Sequence, residues 1–200
     1  MNEIKILCCL ALTVALLSLA GTSRAGRQAA TVEKHIQLVF TGGHDTDRRD
    51  GGRPVALIAA ALGVPTETFR KAFSGVTPAR GRAPEPEQVH QNKDALLAVL
   101  SPFGITNDRL DEVSDYYRYQ PERGGLWKNT SAEGYAVVVK GKITAFKITK
   151  PGSGYTTPPT VTIPGFESQL IKPTLKFSAE FEINGSISKL SITSPRPFGS

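Results

Sequence analysis

An α+β fold follows from three features of the sequence. Apolar residues recur at helical spacing between residues 54 and 117, they alternate with period two from Tyr135 onward, and a bridge rich in Tyr and Arg separates the two regions. Residues 32–125 are therefore expected to form a helical domain of two αα-hairpins, followed over 130–194 by a small antiparallel β-repeat domain.

The N-terminus, "MNEIKILCCLALTVALLSLAGTSRAGRQ", reads as a secretory signal peptide over residues 1–25. Lys5 precedes an apolar run from Ile6 to Ala20, and Ser23 and Ala25 supply the small residues of a cleavage site. About fifteen apolar residues are short for a bilayer span. A secreted or periplasmic location is expected, with no membrane span after cleavage. Both cysteines, Cys8 and Cys9, fall inside this segment, so the mature chain has no thiol, no disulfide and no Cys-based metal site. Its charge is uneven. Residues 26–125 hold thirteen Lys/Arg against thirteen Asp/Glu, whereas residues 126–200 hold nine against four, eight of the nine being Lys. Only the second half should be drawn to an anionic surface.

The helical half opens on "HIQLVF", where Ile36, Leu38 and Phe40 alternate as in a short strand. After the polar loop "TGGHDTDRRDGG", Pro54 suits the first turn of a helix that ends at Gly63. Thr66 is placed to cap the next helix, "ETFRKAF". A second pair follows the linker "TPARGRAPEPE". Val89, Leu96, Leu97 and Leu100 keep helical spacing up to Gly104, and Thr106 caps "NDRLDEVSDYY", whose Leu110, Val113 and Tyr117 share a face. "LGVPTETFRKA" and "FGITNDRLDEV" repeat one logic: glycine stop, β-branched staple, cap, helix. "IAAALGVPTETFRKAF" also has the spacing of a DNA-binding helix-turn-helix. Against that reading, the half is electrically neutral and its would-be recognition helix offers only Arg70 and Lys71 to phosphates.

In the β half, "YAVVVKGKITAFKIT" reads as two strands around Lys140-Gly141, and "KFSAEFEINGSISKLSIT" as two strands around Asn184-Gly185, the favoured hairpin dipeptide. "KGKITAFKIT" (Lys140–Thr149) matches "NGSISKLSIT" (Asn184–Thr193) at a constant offset of 44, the signature of a repeat. Between them "ITKPGSGYTTPPTVTIP" combines a turn-fixing Pro151, two permissive glycines, and Pro158-Pro159, which forbid ladder donors. It is expected to be a corner between strands, with the Tyr155 ring over the turn and its hydroxyl in water.

This last stretch resembles a β-rich repeat of bacterial surface and phage tail-associated proteins, with its GSGYT-x-P-TVTI core and "NG" hairpin. "TGGHDTDRRDGGRPVALIAAALGV" resembles uncharacterised exported bacterial proteins. The resemblance implies surface-associated structural or binding roles.

Two groups of residues are candidates for a site. His44, Asp45, Asp47 and Asp50 lie in the polar loop between a strand and a helix, and are the candidate ligands for a divalent cation. The spacing departs from an EF-hand, because Arg49 stands at its fifth position and Ala56 at its twelfth. The alternative is an Asp/Arg network that caps the helix and pins the loop. Tyr116, Tyr117, Arg118, Tyr119 and Trp127, with Tyr155, are candidate ligand-binding residues, since rings beside guanidinium groups stack on sugars or nucleobases. The same rings would equally seal the helices against the sheet. Catalytic signatures are missing: no G-x-S-x-G elbow, no glycine-rich phosphate loop, and three scattered histidines, His35, His44 and His90. The expected role is a non-enzymatic binding module whose lysine-bearing β face meets an anionic or glycan partner, an envelope or extracellular polymer or protein. A metal-dependent ligand binder or enzyme using the His44–Asp50 loop is the alternative.

Overall fold

The computed structural model describes residues 32–77, 85–118 and 125–193. The expected signal segment, the body of the Pro/Arg-rich linker and Tyr119 lie outside them. Among the described residues the chain forms four α-helices and seven strands, all paired antiparallel, so the α+β class holds.

The helices begin and end largely where local chemistry dictates. α1 (Val55–Leu62) is apolar nearly all round and stops at Gly63, whose φ of 71° lets its N–H turn back to the last carbonyls. Pro54 sits one position earlier than expected, as the cap residue. α2 (Thr66–Phe73) also starts differently: Pro65 occupies the cap position and Thr66 is the first helical residue, with no side-chain cap. Proline there presets φ and has no N–H to leave orphaned. α3 (Pro86–Leu100) ends through a 3-10 turn at Gly104, and α4 (Asn107–Tyr116) is capped by Thr106, whose hydroxyl accepts from Arg109 N at 3.2 Å. Leu110, Val113 and Tyr117 are buried together, as their spacing requires.

The strands assemble in three small sheets, and the first two strands belong with the β half. β1 (Glu33–Gln37) pairs with β3 (Glu133–Val139), which pairs in turn with β4 (Lys142–Lys150). β2 (Val39–Thr41) pairs with β5 (Thr160–Thr162). The helices are thus inserted between strands of one β assembly: the strand expected at Ile36–Phe40 forms, as β1 and β2, but pairs with the β half. β1 has no partner nearby in sequence, so its unpaired amides are satisfied only by the distant β3.

β6 (Leu170–Lys176) and β7 (Ser186–Thr193) make the third sheet. Here the expected two-residue hairpin at Asn184-Gly185 is not formed. β6 lies earlier than the predicted strand, and residues 177–185 make a loop with a 3-10 turn at Phe181–Ile183. The reason is tertiary. Phe181 stacks on Tyr116 at 4.2 Å, and Asn184 is drawn into the interior. At the matching position in the first hairpin, Lys140 and Gly141 both take positive φ and form the tight turn that the sequence predicts.

Two hydrophobic clusters result. One gathers the helices with Tyr117 and Trp127 around Leu57, Leu100 and Leu110; the other gathers Leu38, Ala136, Tyr155, Val161, Ile163, Ile187 and Leu190 from the sheets.

Candidate functional site

The segment Pro151–Tyr155 joins the two clusters. The Trp127 indole N–H donates to Gly154 O at 2.8 Å, and Gly154 N donates to Asn184 O at 2.8 Å. Asn184 is fully buried. Its amide donates to Leu57 O and to the Tyr117 hydroxyl, both at 2.8 Å, and its carbonyl oxygen accepts from Ser178 N at 3.1 Å. Burial pushes the Tyr117 hydroxyl up to about 12. Tyr155 departs from expectation: its hydroxyl is buried and accepts from Ala132 N at 2.9 Å instead of facing water. A buried hydroxyl without that donor would be costly. Gly185 packs so closely that a Cβ would overlap the Tyr155 carbonyl oxygen and lie 2.6 Å from Leu57 Cδ2.

Three of the aromatic candidates, Tyr117, Trp127 and Tyr155, are therefore structural. Tyr117, Trp127 and Tyr155 are 2–3 % exposed and spend their polar atoms inside the protein. Tyr116 is stacked on Phe181 with the Lys128 ammonium over its ring, and Arg118 is exposed and paired with Asp115. Among the described residues this burial corrects the assignment of Tyr117, Trp127 and Tyr155 as ligand-binding groups. They form the seal between helices and sheet.

The polar loop is likewise consumed by internal pairing. Asp47 accepts from Arg49 N at 2.9 Å and from the Arg49 guanidinium at 2.7 Å, and these bonds hold its carboxyl well below the usual range. Asp50, nearly buried, is gripped by Arg70 of α2 in two bonds, Nε–Oδ1 at 2.6 Å and Nη2–Oδ2 at 2.8 Å, and Arg70 also pairs with Glu67. His44 stacks on Tyr155 at 5.2 Å with the Trp127 edge at 6.1 Å, and burial lowers its pKa against the opposing pull of Asp45. Asp45 turns to the Thr156-Thr157 segment. A cleft of about 350 Å³ lies here, lined by Asp45, Asp47, Asp50 and Arg70 among others. Yet His44, Asp45, Asp47 and Asp50 do not converge: among the described residues no group of three or more His, Cys, Asp or Glu side chains is placed to hold a metal ion. The physical reason is the pairing: Arg49 neutralises Asp47, Arg70 reaches over from α2 to neutralise Asp50, and Asp45 turns away to Thr157. The same pairing holds Arg70, one of the two cations of the helix-turn-helix reading, in ion pairs with Asp47, Asp50 and Glu67.

The lysines of the third sheet remain free of such partners. Lys172 and Lys176 on β6 and Lys189 on β7 are exposed, and among the described residues none of the three is in an ion pair. Neither strand contains an acid. Lys172 faces Ser191 and Lys189 faces Thr174, so the outer surface presents ammonium groups among small hydroxyl side chains. The inner positions, Pro173 and Leu190, are buried. On β4, Lys150 is paired with Glu133 at 2.7 Å, while Lys142 and Lys147 are exposed and in no ion pair among the described residues. Asn184 carried no local signal of its role, since "NG" reads as a surface turn; the lysine face was visible only as a compositional excess.

No helix among the described residues is long and apolar enough to cross a membrane. Comparison of the chain with protein-family models, with curated proteins and with solved structures found no match.

Proposed function

We propose that the protein is an exported, non-enzymatic binding module of the cell envelope or extracellular space, and that its outer β6–β7 surface meets an anionic partner. One observation carries the reading: three exposed lysines stand on two paired strands without acids, while Tyr117 and Asp50 are committed to internal bonds. Surface cations left unpaired attract anions through solvent at modest strength, which suits reversible docking. The signal-like N-terminus supports export.

The same reading takes the two stretches at offset 44 as repeats. Gly141 and Gly185 both adopt left-handed φ, 75° and 68°, immediately before β4 and β7. It also takes α1–α2 and α3–α4 as related pairs, in support of which Gly63 and Gly104 both terminate their helices in left-handed φ. The resemblance of the GSGYT segment to repeats of bacterial surface proteins points the same way.

The test is retention of the purified mature protein on isolated envelope polymer across a salt series. Binding at low salt that fades as the Debye length shortens is expected. Retention indifferent to salt, or none at all, contradicts the proposal.

A further inference from the structure

We infer that the partner at this surface is a linear polyanion lying along the β6–β7 hairpin and engaging Lys172, Lys189 and Lys176 in succession. The inference rests on the binding-module reading above and deepens it. The register supplies the geometry. Lys189 lies opposite Thr174, midway between Lys172 and Lys176. Along β6 the four-residue step from Lys172 to Lys176 spans about 13 Å, with Lys189 on the neighbouring strand between them and a β-bulge on its Lys176 side. They form a line of like charges with no acid on either strand to interrupt it.

Such a line discriminates by the way charges are connected. Each ammonium is exposed, so an isolated anion gains little from any one of them. A chain that carries several anionic groups on one backbone makes its second and third contacts intramolecularly, at high effective concentration. The face also lacks arginine, so no planar fork selects phosphate over carboxylate. Lysine reads charge and spacing, and the hydroxyls beside it are turned to the backbone: Ser188 Oγ donates to Thr174 O at 3.0 Å and Ser191 Oγ to Lys172 O at 3.3 Å. The two acids in the intervening loop, Glu180 and Glu182, sit beyond the end of the paired strands, on either side of Phe181, which stacks on Tyr116.

The test uses the mature full chain with long-chain inorganic polyphosphate and polygalacturonate as probes, and orthophosphate as the unlinked control. Both polymers should bind, and orthophosphate should not compete at equal total phosphate. By counterion release, three contacts give a slope of log K against log salt of about −2, and each of Lys172→Gln, Lys176→Gln and Lys189→Gln should make it shallower by about 0.7. These side chains are exposed, so the variants keep their fold, which far-ultraviolet circular dichroism checks. The triple variant Lys140→Gln/Lys142→Gln/Lys147→Gln on the first hairpin should leave the slope unchanged. Competition by orthophosphate, or loss of slope through the first hairpin instead of the second, overturns the inference while salt-sensitive envelope binding stands. Failure of every polyanion and of the envelope polymer to bind overturns both.

Discussion

Replacing Asn184 by alanine tests whether the helical and β clusters are held together by one buried amide. The side chain is fully buried and makes three hydrogen bonds, to Leu57 O, the Tyr117 hydroxyl and Ser178 N. Each buried bond contributes on the order of 1 kcal/mol net, and a partner stranded without water costs about 1–3 kcal/mol. The Tyr117 hydroxyl and the Leu57 carbonyl belong to buried residues, so neither has water to turn to when the amide is removed. A loss of about 3–4 kcal/mol is therefore expected, a large share of the roughly 5–15 kcal/mol of a typical domain. In a thermal scan this corresponds to a fall of about 6–16 °C for a chain of this size. Urea unfolding followed by Trp127 fluorescence gives the free energy directly, provided the m-value is unchanged. Tyr117→Phe removes a single bond and should cost about 1 kcal/mol, and the double variant should show a coupling of comparable size. If Asn184→Ala costs less than about 1 kcal/mol, or the two changes add without coupling, the amide is not the clasp and the account of the junction fails.

Three further outcomes follow from the same geometry. Arg70→Ala leaves the Asp50 carboxylate buried without its guanidinium and should destabilise by about 3 kcal/mol, the low end for a broken buried pair, with part of the loss recovered in Arg70→Ala/Asp50→Ala when measured by urea titration. Gly185→Ala and Gly141→Ala share a left-handed φ, but only the first drives a Cβ into Tyr155 and Leu57. Gly141→Ala should cost about 1–2 kcal/mol and Gly185→Ala several times that, compared by melting temperature. Burial lowers the pKa of His44 below 6.5, so under acid conditions the unfolded chain binds more protons than the native one. Its contribution is present above pH about 6.5 and lost as pH falls through the native value. The melting temperature should drop from pH 7 to pH 5, and His44→Phe should flatten that drop.

The local grammar of the chain was legible because it rests on short-range sterics. Gly63 and Gly104 end helices since only glycine enters left-handed φ without strain, Thr106 caps because its hydroxyl reaches an amide three residues on, and Lys140-Gly141 turns tightly for the same dihedral reason. The α+β class and the faces of α4 and β5 follow from periodicities that any isolated segment would show. The acids of the 44–50 loop could be read as metal ligands or as an arginine-paired network, and the sequence alone did not choose. Arg70 decided it, from a helix twenty residues away from Asp50.

What the sequence by itself determined, then, is the helices and the strands other than β6, and where the unpaired lysines fall in the chain. The tertiary structure decided which elements meet. β1 crosses the length of the helical insertion to find β3, Asn184 abandons a turn to satisfy Leu57 and Tyr117, and Tyr117 and Trp127 of the aromatic bridge become core. The physical reason is that a strand's amides and a buried side chain's polar atoms must find partners wherever the chain brings them, and no local window of sequence contains those partners.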